Sequence, residues 1–122
     1  MGVGIAIVAA RAGFTVRVFD TSREALDRAH GQTGDFLEKS VARGKLSPID
    51  RDATLARLIG STRIADLADC EFVIEAIYEN LTAKHDLLGQ LDQVCPPETI
   101  FASNTSTISI TEIAAGSGRA DR

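Results

Sequence analysis

Residues 1–20 read MGVGIAIVAARAGFTVRVFD, and their reading decides the fold class. Residues 3–12 form a predicted helix, with small Ala6, Ala9 and Ala10 allowing close approach to a sheet. Gly13 stands just past its end, where a left-handed conformation is commonly needed. Thr15-Val16-Arg17-Val18-Phe19 then alternates and is β-rich, which predicts a strand ending at Asp20. A helix feeding a strand tipped by a carboxylate is the grammar of a layered α/β protein.

The rest of the chain repeats that grammar. Thr21-Ser22-Arg23-Glu24 reads as a capping box, with Thr21 and Glu24 each satisfying a free backbone N–H. It launches a long helix whose Leu26, Ala29, Thr33, Phe36, Leu37 and Val41 follow a 3–4 spacing, and Gly44 stops it. Ser47-Pro48 opens another helix, Ser as cap and Pro at the first helical position. Leu55, Leu58 and Ile59 give it an apolar face and Gly60 ends it. Residues 61–64 are expected as a short strand. Residues 72–77 (FVIEAI) are expected as a strand buried on both faces. A helix follows over about residues 81–95, closed by Pro96-Pro97. Thr99–Ser103 is the last strand, and Ser109-Ile110-Thr111-Glu112 reads as a second capping box. Strands alternating with helices predict a doubly wound parallel sheet, in which ligands bind beyond the carboxyl ends of the strands. That rule selects Asp20, residues 77–84 and residues 103–109.

Size and charge exclude several functions. The chain has 122 residues and a formal net charge of −4, so nothing calls for nucleic acid or an anionic membrane as partner. Residues 1–45 carry seven Lys/Arg against five Asp/Glu and are mildly basic. Cys70 and Cys95 lack metal-ligand spacing and read as buried free thiols, which suits a reducing compartment and a cytoplasmic protein. No stretch has the length of a bilayer span. His30 and His85 fall inside predicted helices and read as surface or packing residues, so a Ser-His-Asp triad has no support.

Asp20 can accept hydrogen bonds from both hydroxyls of an adenosine ribose and repel a 2′-phosphate; the alternative is a turn residue. A Gly-x-Gly lies about eighteen residues upstream, close to the separation of a dinucleotide fingerprint. Ile7 stands where that fingerprint needs its third glycine, so Gly2 fits better as the last glycine of one that begins earlier. Glu79 and Lys84 follow a strand and can face a ligand; the alternative is a helix-start carboxylate and a solvated lysine. Ser103 to Thr107 can bond a substrate oxygen or form an ordinary polar turn.

Taken together, MGVGIA…AGFTVRVFD, ARGKL, FVIEAIYENLTAKHDLL and IFASNTSTISITEIA resemble the NAD-binding domain of the 3-hydroxyacyl-CoA dehydrogenase family over essentially the whole chain. The resemblance implies an NAD cofactor and reversible hydride transfer between a 3-hydroxyacyl-CoA and NAD, giving the 3-ketoacyl-CoA, as in fatty-acid β-oxidation or butanoate metabolism. It places Gly2 at the pyrophosphate, Asp20 on the adenosine ribose, Glu79 and Lys84 along the NAD site, and Ser106 on the substrate 3-hydroxyl. Arg43 and Lys45 become candidates for the CoA phosphates. The helical pair over residues 22–59 matches the family's insertion after its second strand.

Two departures shape the expectation. The family's opening strand and first two fingerprint glycines would precede Met1, so residues 1–122 are expected to be a partial Rossmann domain. With that central strand missing, the second and fourth strands of a 3-2-1-4-5-6 order cannot share ladder hydrogen bonds. The family's catalytic histidine and its helical dimerisation domain would lie beyond Arg122, so the chain alone is expected to lack activity while a longer homodimeric parent has it. Two other readings are a non-catalytic nucleotide- or CoA-binding module and another β-hydroxyacid-type dehydrogenase.

Overall fold

The computed structural model describes every residue, Met1–Arg122. Its elements run α1 (Gly2–Arg11), β1 (Val16–Phe19), α2 (Arg23–Ala42), α3 (Pro48–Ala56), β2 (Leu58–Ser61), β3 (Phe72–Glu75), α4 (Leu81–Val94), β4 (Ile100–Ser103) and α5 (Ile110–Ala115). A single 3-10 turn covers Ile64–Leu67. The strands pair in parallel as two two-stranded sheets, β1 with β2 and β3 with β4. Parallel strands alternating with helices are what the sequence leads one to expect. The chain divides into two compact units, Met1–Arg63 and Ile64–Arg122, each holding one of these sheets.

In the first unit α1 buries Ala6, Ile7 and Ala10. Gly13 follows at φ 101°, a left-handed conformation that favours glycine. β1 and β2 pair from Val16↔Leu58 to Phe19↔Ser61, and the Val16 N–H extends the ladder to the Arg57 carbonyl at 2.8 Å. The helical pair α2 and α3 stands between these two strands in sequence. Pro48 opens α3, and the Ser47 hydroxyl accepts from the Asp50 N–H at 3.0 Å. Arg51 of α3 donates to Glu38 of α2 at 2.9 Å. Leu26 and Leu37 of α2 and Thr54 of α3 are buried.

Two local expectations are corrected here. The cap of α2 is Ser22, not Thr21: the Ser22 hydroxyl accepts from the Ala25 N–H at 3.2 Å and donates to Glu24 at 3.0 Å. Asp20 Oδ1 accepts from the Ser22 N–H at 2.8 Å, which sets Ser22 in the extended cap conformation. Leu58-Ile59-Gly60 belongs to a strand rather than to the preceding helix, and residues 62–64 do not continue it. Pairing with β1 decides the matter, because it bonds backbone groups that a further helical turn would leave competing with Val16. Gly60 sits under Leu26, where a Cβ would come within 3.7 Å of that side chain.

In the second unit β3 and β4 pair from Phe72↔Ile100 to Glu75↔Ser103. The Asn80 side chain caps α4 by accepting from the Ala83 N–H at 2.9 Å. Leu88 and Leu91 of α4 pack into a core with Leu67, Cys95 and Ile113. The carboxyl end of α4 is tied by Arg119, which donates to Asp92 Oδ1 at 2.6 Å, to the Asp92 carbonyl at 3.1 Å and to the Pro96 carbonyl at 2.6 Å. Its guanidinium lies over the Phe101 ring at 4.5 Å. The two cysteines are not joined in a disulfide; Cys95 is buried and Cys70 partly so.

Two expectations differ in this unit as well. β3 is not buried on both faces, since Phe72 is 53% and Ile74 43% exposed. Ser109 precedes α5 but forms no side-chain cap, so the second capping box is not made. No helix is long and apolar enough to cross a membrane.

Candidate functional site

Each unit presents polar side chains at the carboxyl ends of its strands. In the first unit the N–H groups of Gly2 and Val3 open α1, and Met1 gives that helix no side-chain cap. Free N–H groups in a first helical turn suit an anion such as a phosphate. Asp20 follows β1 and is exposed. Only its Oδ1 is engaged, by the Ser22 N–H, so Oδ2 is open to a hydroxyl donor. Arg43 and Lys45 flank Gly44 in the turn after α2 and are both exposed.

In the second unit Glu79 and Lys84 sit in very different settings. Lys84, expected as a solvated or ligand-facing residue, is fully buried. Its ammonium donates to Glu75 Oε1 at 2.8 Å and Oε2 at 2.9 Å and pairs with Glu79 Oε1 at 3.3 Å. The solvated alternative is thereby overturned. Burial alone would lower the Lys84 pKa, but the hydrogen bonds to Glu75 and Glu79 outweigh it and hold the pKa above the ordinary lysine value. Glu79 keeps 37% of its side chain exposed. Its Oε2 accepts from Thr105 at 2.7 Å and from Thr107 at 3.0 Å. The Thr105 bond leads a set, with Thr107 and Lys84, that pulls the Glu79 pKa down to about 2.

Ser106 lies between those two threonines. They are tied to Glu79 while Ser106 itself is exposed and forms no hydrogen bond within the chain. The loop is therefore anchored on either side of a hydroxyl that remains available. Sequence reasoning picked out Glu79, Lys84 and Ser106 but missed Glu75, whose carboxylate also accepts from Ser103 Oγ at 2.5 Å. The available signal was a carboxylate inside an apolar strand, which demands a buried partner. His85 spends its Nε2 on the Glu112 carbonyl at 2.7 Å, and His30 is exposed on α2.

With this geometry in hand, comparison with known proteins is decisive. The family model described as "3-hydroxyacyl-CoA dehydrogenase, NAD binding domain" matches residues 1–122. The chain belongs to that family. The 3-hydroxyacyl-CoA dehydrogenase domain is shared with a "Probable 3-hydroxybutyryl-CoA dehydrogenase" of Deinococcus radiodurans, 48% identical over 119 residues, covering 98% of this chain and 42% of the relative. It is also shared with a 3-hydroxyadipyl-CoA dehydrogenase of Escherichia coli, 50% identical over 115 residues, covering 94% of this chain and 24% of the relative. Among solved structures, (S)-3-hydroxybutyryl-CoA dehydrogenase from Ralstonia eutropha superposes with a TM-score of 0.96 at 40% identity, covering 99% of this chain and 43% of that one. The chain thus spans less than half the length of these relatives.

NAD is the cofactor of this domain family, and the residues present fit it. In the first unit, taken by itself, the open N–H groups of α1 suit a pyrophosphate and the open Asp20 oxygen suits a ribose hydroxyl; in the second, taken by itself, Glu79 and Ser106 offer an exposed acceptor and hydroxyl.

Proposed function

We propose that these residues form the cofactor-holding part of an NAD-dependent dehydrogenase that interconverts 3-hydroxyacyl-CoA and 3-ketoacyl-CoA. The observation that carries the reading is Asp20, a solvent-facing carboxylate at the end of β1 with one oxygen unclaimed. Such a group bonds the 2′- and 3′-hydroxyls of an adenosine ribose and repels a 2′-phosphate. Gly2 sits at the pyrophosphate and Glu79 serves the cofactor in the second unit. Lys84 acts there through Glu79, since its own N–H groups are committed.

NAD, when bound, supplies the hydride acceptor. Ser106 holds the substrate 3-hydroxyl oxygen through its free hydroxyl. Arg43 and Lys45 receive the CoA phosphates as exposed cations. Oxidation also releases the hydroxyl proton to a base. His85 is committed to Glu112 and His30 stands exposed on α2, so neither is offered for that task. The base therefore belongs to a part of the whole enzyme other than these residues. The parent is a cytoplasmic homodimer, a reading supported by cysteines that are not joined in a disulfide and by the family resemblance.

Titration of the chain with NADH and with NADPH, followed by nicotinamide fluorescence, tests the cofactor half. NADH should bind at least about tenfold more tightly, the effect of one good charge contact, and Asp20→Ala should erase the preference. Equal binding of both cofactors refutes the Asp20 role. NADH oxidation with acetoacetyl-CoA should be absent with this chain alone; turnover would refute the assignment of the base elsewhere.

A further inference from the structure

We infer that Glu75 is a positioning residue, whose buried carboxylate sets the two loops that carry Glu79 and Ser106. The inference deepens the cofactor reading and rests on it only for what those loops hold.

Glu75 is the last residue of β3 and lies opposite Ser103, the last residue of β4. Its side chain is fully enclosed. Oε1 accepts from the Ile77 N–H at 2.7 Å and from Lys84 at 2.8 Å. Oε2 accepts from Lys84 at 2.9 Å and from Ser103 at 2.5 Å. The Glu75 backbone carbonyl takes the Asn104 N–H at 2.8 Å. One residue therefore holds the start of loop 76–80, the start of loop 104–109 and the first turn of α4. With every partner internal and no exposed oxygen, Glu75 cannot touch a ligand; it acts through other groups.

The connection continues outward. Lys84 joins Glu75 to Glu79. Glu79 takes the Thr105 and Thr107 hydroxyls, and Thr105 Oγ1 accepts from the Ile108 N–H at 3.1 Å. Ser106 is flanked by that sequence of bonds without belonging to it and stays exposed. A buried ion pair is a weak source of net stability, because desolvation offsets most of its attraction. A fully bonded buried network instead selects one arrangement of the groups it ties. Here the groups tied are the two loops at the strand ends.

Amide hydrogen exchange of the ligand-free chain, residue by residue, tests this without any cofactor. In Glu75→Gln the Ile77 and Ile108 amides should accelerate by about tenfold or more beyond any acceleration of Leu88 and Leu91 in α4, which report the overall stability, as for local opening of a loop. Unchanged protection of Ile108 overturns the inference. Equal loosening of Leu88 and Leu91 also overturns it, since Glu75 would then be a general stability residue. If Glu75→Gln loses the fold, Ser103→Ala keeps the ion pair and removes one link. Ile108 should then exchange several-fold faster with Ile77 unaffected, and no change at Ile108 refutes the link. NADH titration of the same variants separates the two readings. Loops loosened by Glu75→Gln in a protein whose wild type binds no NADH would leave Glu75 in its role and sink the cofactor reading. NADH affinity intact in a variant with loosened loops would refute positioning.

Discussion

Replacing Lys84 by methionine is the perturbation with the largest expected effect. Methionine fills the stem's volume but leaves the enclosed Glu75 carboxylate without its cation. Ile77 N–H and Ser103 Oγ would remain as its donors, while the bonds at 2.8 and 2.9 Å disappear. Breaking one side of a buried pair in this way costs about 3–5 kcal/mol. A domain of this size has a total stability of about 5–15 kcal/mol, so about a fifth or more should be lost. With a urea m-value of about 1.5 kcal/mol/M, the midpoint followed by circular dichroism should fall by about 2–3 M. The double variant Lys84→Met/Glu75→Gln removes both charges and should recover at least about 1.5 kcal/mol relative to Lys84→Met alone, since the two residues are in direct contact. A loss below about 1 kcal/mol for Lys84→Met, or a double variant no better than the sum of its singles, would refute the reasoning.

Three further outcomes are expected. Arg119→Met should cost about 2–3 kcal/mol in urea unfolding, from several charged hydrogen bonds at the end of α4 and the stacking on Phe101; a cost under about 1 kcal/mol would show that solvent replaces the guanidinium. Gly13→Ala should cost about 1–2 kcal/mol, and through backbone strain alone, because φ is 101° and no atom lies within 4 Å of the added Cβ. Glu79 has a folded pKa of about 2, below that of the unfolded chain, so its contribution is complete above about pH 4.3 and lost as pH falls towards 2. The stability difference between wild type and Glu79→Gln should therefore be constant near neutral pH and shrink below about 4.3 in acid titrations; a difference that survives to pH 2 would contradict the network.

Much of the fold was legible because its punctuation is local. Gly13, Ser47-Pro48 and Pro96-Pro97 each act on the backbone of their own segment, and the helices end or begin beside them. The errors arose where two local solutions were close and a distant group chose between them. Leu58 and Ile59 continue the spacing of Leu55, but the register Val16↔Leu58 across more than forty residues makes them a strand. Thr21 and Ser22 can each cap α2, and the Asp20 carboxylate on the Ser22 N–H selects the second. The same division holds for the site. Asp20, Glu79 and Ser106 were visible as polar residues after strands. Lys84 was visible in position but not in burial, because its setting depends on Glu75, nine residues earlier on the neighbouring strand.

Arg57 reaches beyond the helix it caps. Its Nη1 donates to the Ala10 carbonyl at the end of α1 at 3.0 Å, while its own carbonyl takes the Val16 N–H that begins the first ladder. The helical pair is thus pinned where α3 hands over to β2, and its other turn, residues 43–47, is exposed except at Leu46. Length is consequently free at one end of the pair and fixed at the other. Residues inserted at Gly44-Lys45 would extend into solvent, whereas a single insertion beside Arg57 would shift the register of β2 and turn its side chains to the opposite face. For anyone attaching a fluorophore or an affinity handle to this unit, the first turn accepts added length, at the expense of the two cations proposed for the CoA phosphates, and the second is the one to leave alone.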